Sequence, residues 1–536
     1  MSAAHAAPAA APPAPPTSAP PEAPIPWLGL TAVLLGTFIS TLTGRLSTFG
    51  LTDIRGAVHA GFDEGAWITT AFTTAQMLIT PIAVWIGSIY GPRKILIISA
   101  LSFAATSALT PFAQNLDSLL VLQFLSGLGS GCFIPLTLSF ILRNMPLRLW
   151  AYGVAVYALN LELSLNISAS LEGWYVDNLS WHWIFWQNVP LALGMAACLH
   201  FGVKRLPPPD CIHRDIYGLA SCGLGLALIY AALDQGNRLD WSGSGLIWGL
   251  MLAGILLLVC FVVHEASTPF PWLDFRVVLG QPMPYLLFNI AILRLSILST
   301  AYLIPYFLGG VRGFRALQIG DTLIWIAAPQ LIVCPFAAFM LRRADPRIAA
   351  SFGLCLVVAA CMSVAYGLTP VWGSDQFLIS QLMQALGQSL ALSGIVFLGV
   401  LNLRPQDALT FGASLQIARL FGGELGSSLI ATVARMREQR ASNLLGLHVQ
   451  RGALDVVQRL TAYSGFAAHS GRPAIAAPLL LGNEIRTVAT TQATIDGFVA
   501  VAACVVVGLL VIAVVLPAPP RTAASYIPLF RRETIK

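Results

Sequence analysis

The sequence predicts an all-α membrane protein with about fourteen transmembrane helices, and three observations carry that reading. Hydrophobic residues make up 56% of the 536 positions and charged residues only 10%, where a soluble domain carries roughly 25% charge. The apolar residues gather in about fourteen separate runs, each near the roughly 20 residues that about 30 Å of hydrocarbon requires. The basic residues fall unevenly between alternate loops, which orients the chain across the bilayer.

Taken in order, residues 1–26 are Ala/Pro-rich, without the basic start and apolar core of a cleaved signal, and read as a disordered cytoplasmic tail. The expected spans are 27–50, 66–89, 95–114, 118–142, 150–172, 182–203, 215–234, 242–264, 284–309, 317–341, 348–369, 376–402, 409–434 and 493–516. A second tail, 517–536, follows. With the N-terminus inside, inner loops and tails carry Arg93, Lys94, Arg143, Arg148, Lys204, Arg205, Arg214, Arg276, Arg342, Arg343, Arg347, Arg404, Arg521, Arg531, Arg532 and Lys536. The short outer loops carry Arg55, Arg238, Arg312 and Arg315, so the balance is 16 against 4. An even number of spans then leaves both termini in the cytoplasm.

One outer segment, 435–490, is long, and long segments escape the charge rule. Within it, 436–463 reads as an amphipathic helix, because Leu445, Val449, Ala453, Val456 and Leu460 recur at helical spacing. Gly446 and Gly452 are weak points in that helix. Two readings are open: a passive linker, or a periplasmic extension of the thirteenth helix whose apolar stripe needs a partner to cover it.

Chemistry of other kinds finds little support. Eight of the nine cysteines lie inside apolar runs, as packing residues do. No CxxC, paired-histidine spacing, phosphate loop or nucleophile–base pair is visible, so neither a metal site, a cofactor nor an enzyme is expected.

Several motifs point to one family. Gly87-Ser88-Ile-Tyr-Gly91-Pro92-Arg93-Lys94 ends the second span in a tight basic turn, and Leu341-Arg342-Arg343-Ala344-Asp345-Pro346-Arg347 is a weaker copy in the second half. The stretch Ser180-Trp181-His182-Trp183-Ile184-Phe185 through Asn188-Val189-Pro190 opens the sixth span, and Arg419-Leu-Phe-Gly422-Gly423-Glu424-Leu-Gly426 lies in the thirteenth. Together these resemble the major facilitator superfamily, and within it the EmrB/QacA-type fourteen-helix drug:proton antiporters. The resemblance implies a 6+2+6 arrangement: a six-helix bundle at 27–205, two inserted helices at 206–270 and a second bundle at 271–516. It implies proton-coupled efflux of amphipathic compounds across the bacterial inner membrane by alternating access. A periplasmic adaptor and an outer-membrane channel are the implied partners, reached through 435–490. The motif loops, with Gly91, Arg93, Lys94, Arg342, Arg343 and Asp345, are implied to act in conformational change.

The chain departs from the family pattern at coupling positions. Ser88 stands where an aspartate is usual, Leu42-Thr43-Gly44-Arg45 lacks the usual acid of the first span, and Gln123-Phe-Leu-Ser126-Gly127 lacks the arginine of the fourth. A metabolite or siderophore exporter with atypical or no proton coupling is therefore a second reading.

Ionisable side chains are expensive in hydrocarbon and are kept when paired or functional. Here they are Arg45, Glu162, Glu172, Arg294, Arg419 and Glu424, with Gln123, Asn160 and Asn166 as polar neighbours. Glu162 lies about 18 Å along its helix at roughly 1.5 Å per residue, near mid-membrane, and Asn166 one turn on can bond it. A proton site, a static bridge to an arginine and a substrate-binding carboxylate are all open for it. Arg45 and Arg294 can hold a buried acid or an anionic substrate group. Arg419 reads as structural. Glu424, five residues on and off its face, is a second titratable site or a substrate contact. Glu172 is near the outer end, within reach of water.

Overall fold

In hydrocarbon every backbone polar group needs a partner within its own segment, and the chain meets this with helices throughout. The computed structural model describes residues 27–145, 149–203, 215–268, 272–273, 275–280, 282–403, 408–450, 452–466 and 473–515, and no strand occurs among them. The two expected tails, 1–26 and 517–536, lie outside the described residues.

The first bundle contains α1 (Trp27–Phe49), α2 (Trp67–Tyr90), α3 (Pro92–Leu109), α4 (Leu116–Gly131 and Phe133–Asn144), α5 (Trp150–Asn166 and Ser168–Asn178) and α6 (Asn188–Gly202). Then come α7 (Ile216–Leu239) and α8 (Gly245–Ser267). The second bundle contains α9 (Met283–Leu298 and Ile304–Arg312), α10 (Ala316–Arg343), α11 (Pro346–Gly367), α12 (Leu378–Leu401), α13 (Ala408–Leu447) and α14 (Pro473–Leu510). Among the described residues twelve helices are long and apolar enough to cross a membrane, thirteen when α5, bent by 43°, counts as one. The remaining expected span, 409–434, lies in α13, which is long enough but less apolar because it carries Arg419 and Glu424.

Local chemistry explains where helices begin. The Asn115, Asp215 and Asp345 side chains accept from the backbone N–H of Ser118, Gly218 and Arg347, each at 2.9 Å, satisfying donors that the first turn leaves open. Gly91 sits between α2 and α3 at φ +83°, ψ +139°, a conformation that side chains with a Cβ resist. Gly91→Ala is expected to destabilise the protein by about 1–3 kcal/mol, which thermal unfolding in detergent would register as a lower midpoint.

Within the first bundle α2 packs on α4 and α1 on α6; within the second α11 packs on α12 and α9 on α13. The bundles meet where α5 touches α10 and α12, and where α13 touches α2 and α4. The α5–α10 contact is close: a Cβ at Gly173 would lie 2.5 Å from the Leu317 Cα, and one at Gly320 2.7 Å from the Ser170 Cα. The Ser170 hydroxyl donates to the Gly320 carbonyl at 2.9 Å across the same seam. Small residues permit such approach of helix backbones.

The inserted helices form a hairpin, with α7 against α2 and α13. Asn237 Nδ2 donates to the Ser428 carbonyl at 2.9 Å, and the Ser428 hydroxyl to the Leu233 carbonyl at 2.9 Å, tying α7 to α13. Only 17% of the apolar stretch of α8 is buried, against 94% for α12, so α8 faces lipid and α12 is central.

The segment 435–490 differs from the single amphipathic helix expected over 436–463. Helix α13 runs unbroken to Leu447, a separate helix covers Leu454–Phe466, and Gly452 between them sits at φ +91°. Glycine there divides the stripe in two. Helix α14 begins at Pro473, twenty residues before the expected span at 493. Leu454–Phe466 lies along α14, where Arg459 pairs with Glu484 and the Tyr463 hydroxyl donates to Glu484 at 2.7 Å.

Candidate functional site

Polar side chains from both bundles and from the inserted hairpin converge on one cavity of about 200 Å³. Helix α1 supplies Ser40, Thr41 and Arg45, α2 supplies Thr69, Thr73 and Gln76, and α9 supplies Arg294. Helix α13 supplies Arg419, Gly423 and Glu424, and α7 adds Tyr230 and Asp234. Three guanidinium groups and two carboxyls thus share one space at the contact of the halves. Among the described residues no carboxylate lies within 4.0 Å of Arg45, Arg294 or Arg419.

Arg419 is held by neutral partners, donating from Nε to Gln416 Oε1 at 3.0 Å and from Nη1 to Thr41 Oγ1 at 3.3 Å. Arg45 lies with its guanidinium 5.8 Å from the Phe49 ring centroid, and its buried Nε has no partner. Arg294 leaves both Nε and Nη1 buried without a partner. Gly423 keeps the space beside it open, since a Cβ there would stand 4.0 Å from Arg294 Nε and Nη2. Glu424 was expected to miss the face of Arg419, yet both line the cavity, because long side chains reach it from different sides of the helix.

The other expected residues do not line this cavity. Glu162 is fully buried, neither carboxyl oxygen has a hydrogen-bond partner, and Arg294 and Arg419 are its charged neighbours. Asn166 does not bond Glu162: its Nδ2 donates instead to Gln330 Oε1 at 3.3 Å and Gln388 Oε1 at 3.4 Å, bridging to α10 and α12. Asn160 Nδ2 donates to the Leu34 carbonyl and to Thr37 Oγ1, both at 2.6 Å, and so ties α5 to α1. Gln123 is buried with both amide atoms unpartnered. Glu172 does not reach out to water; it is 1% exposed, its Cγ lying against the Gly50 corner of the first bundle.

The motif loops hold helix ends. Arg93 donates from Nε to the Leu199 carbonyl at 3.1 Å and from Nη2 to the His200 carbonyl at 2.7 Å, fastening α3 to the end of α6. Lys94 stands over the Tyr90 ring. Arg342 Nη1 donates to the Tyr152 hydroxyl at 2.8 Å, joining α10 to α5 across the two bundles, while Arg343 stacks on Phe339. Asp345 caps α11 and pairs with Arg347 at 2.9 Å.

The sequence singles out neither Tyr230 nor Asp234: the first is an ordinary aromatic inside the expected seventh span, and the second stands at that span's expected end. The helix continues to Leu239, which brings both, one turn apart, onto the cavity wall. Asp234 accepts from the Thr70 hydroxyl and from Gln235 Nε2, the latter at 3.1 Å. Arg238, one further turn on, pairs with Asp63 at 3.1 Å.

A central polar cavity walled by helices from two packed bundles is the architecture of a carrier, and the family model of the Major Facilitator Superfamily matches residues 33–427. The chain belongs to that superfamily. Its members are transporters rather than enzymes. Curated relatives include the probable multidrug resistance protein EmrY of Escherichia coli, 25% identical over 77% of this chain and 81% of that protein. The multidrug export protein EmrB of Haemophilus influenzae is 23% identical over 78% and 82%. The fatty acid resistance protein FarB of Neisseria gonorrhoeae is 24% identical over 89% and 92%. Among solved structures, the human organic anion transporter MFSD10 superposes with a TM-score of 0.58 at 13% identity, covering 92% of this chain and 100% of that one. The proton:xylose symporter XylE does so with a TM-score of 0.58 at 10% identity, covering 92% and 96%. At such identity these structures show the fold alone.

Proposed function

We propose that this major facilitator protein is a secondary active exporter of amphipathic organic compounds, driven by proton antiport across a bacterial inner membrane. Export is supported by the multidrug and fatty acid resistance relatives. The observation that carries the coupling is the pair of cavity acids, Glu424 and Asp234, which no arginine locks into an ion pair. A carboxyl in that setting exchanges its proton with whichever side the cavity opens to. Open to the cytoplasm, Glu424 releases its proton and substrate enters. Open to the other side, a proton arrives and substrate leaves. Glu162, sealed behind Arg294 and Arg419, and Glu172 are reserve carriers.

Both termini face the cytoplasm in this reading, so the extension of α13 and α14 enters the periplasm. Its exposed Leu444, Leu447, Leu454 and Val457 are the surface for a periplasmic adaptor that leads to an outer-membrane channel. The second reading, a metabolite or siderophore exporter without proton coupling, is favoured by the missing acid of the first span, where Thr43 stands and Arg45 follows two residues on. Everted vesicles test the choice. A panel of amphipathic dyes and drugs is expected to release protons from acidified vesicles that contain the protein and not from those that lack it. Uphill accumulation that survives collapse of the proton gradient would overturn antiport.

A further inference from the structure

The charged groups of the cavity are sorted into two ends. Arg294 has Glu162 and Arg45 as its charged neighbours, with the Tyr230 phenol nearby, and Arg419 has Arg294 and Glu162. Glu424 instead has Asp234, Tyr230 and Arg45. The cationic end therefore lies towards α5 and α9, and the acidic end towards α7 and α2, with Arg45 and Tyr230 between them.

Neither end is closed by an ion pair: Glu162, the acid beside Arg294 and Arg419, does not line the cavity and lies beyond 4.0 Å of both. Arg294 Nε and Nη1 and Arg45 Nε are buried donors with no acceptor, and such orphans are retained at a penalty unless something else bonds them. At the acidic end, Thr70 and Gln235 position Asp234, and Tyr230 lies against Glu424, but no cation is within 4.0 Å of either carboxyl among the described residues. A monoanion would satisfy the arginines and meet two acids; a monocation would satisfy the acids and meet three arginines. A molecule carrying both groups is matched at each end.

We propose that the substrates are amphoteric. Each has an apolar body with an acidic group bound by Arg294 and Arg45, and an amine at its other end bound by Glu424 and Asp234. This rests on the exporter reading and names what is carried. It also explains coupling: amine and proton compete for the same Glu424 oxygens, so arrival of one displaces the other.

The test uses four probes on one naphthalene body: a carboxylate at one end with an aminomethyl group at the other, either group replaced by methyl, and the dimethyl form. Binding to the full-length protein in nanodiscs is measured by calorimetry. The amphoteric probe is expected to bind at least about tenfold tighter than either singly charged one. In Arg294→Gln that advantage over the amine-only probe disappears, while affinity for the amine-only probe itself is kept. In Asp234→Asn the advantage over the carboxylate-only probe disappears, while affinity for the carboxylate-only probe is kept. The proposal fails if a singly charged probe binds the wild-type protein as tightly as the amphoteric one. It fails equally if the variants weaken all four probes alike. Vesicle transport separates the two readings. Preferred binding of the amphoteric probe without its export sinks the exporter reading alone, whereas export of the dye panel without charge preference sinks only the amphoteric substrate.

Discussion

Glu424→Gln abolishes gradient-driven export and leaves a downhill equilibration of substrate that needs more substrate to saturate, one contact to it being weakened: that is the expected result in everted vesicles. The amide keeps the shape and hydrogen-bonding reach of the carboxyl but cannot take up or release a proton at neutral pH. Glu424 lines the cavity, next to Tyr230 and Asp234, so its loss removes the acid that meets the open side in each half-cycle. Accumulation should fall to the level of vesicles without the protein, while counterflow of preloaded substrate persists. Glu162→Gln provides the comparison. Glu162 does not line the cavity and both its oxygens are sealed, so this variant should retain measurable uphill transport. If the two variants behave in the opposite way, Glu162 is the carrier and the cavity acids are only substrate contacts.

The second large effect is expected at the seam between the bundles. A side chain at Gly320 would begin 2.7 Å from the Ser170 Cα and 2.9 Å from its backbone nitrogen. Backbone atoms cannot yield as a flexible side-chain tip can, so Gly320→Leu forces α5 and α10 apart. Overpacking of about 1–3 kcal/mol shifts the balance between closed and open forms of this seam by roughly 5- to 150-fold. Transport, which needs both forms, should fall in proportion. Spin labels on α5 and α10 in a cysteine-free background would show the separation lengthened in the resting protein. Unchanged distances together with normal transport would mean that this contact is not part of the gate.

The sequence speaks clearly about what hydrocarbon enforces. Helices α7 and α8 are full helices of 24 and 23 residues, because an apolar run that long has no other way to satisfy its backbone. The convergence of Arg45, Arg294, Arg419 and Glu424 on a common cavity was foreshadowed by their position inside apolar runs. Other features depend on neighbours that no local pattern reports. The apolar run of α7 fades after Leu233, so Asp234 looked like its end, whereas contacts with α2 and α13 carry the helix to Leu239. Asn166 was assigned to Glu162 by helical spacing, yet two glutamines from the other bundle bind it. Spacing along one helix fixes a face, not what stands opposite. The separation of the helix ending at Leu447 from the one starting at Leu454 likewise divides a stripe whose periodicity alone reads as continuous.

The hairpin of α7 and α8 gives the cavity one wall unlike the rest. Helix α8 packs mainly on α7 and, near its end, on Trp272 and Phe275, with most of its apolar stretch turned to lipid, so α7 carries Tyr230 and Asp234 between that lipid-facing helix and the polar interior. Bilayer thickness and lateral pressure bear on α8 directly, since a span adapts to mismatch by tilting. Any such tilt passes through a single layer to the acidic end of the cavity, so the mechanical state of the surrounding membrane is wired to this wall before any other.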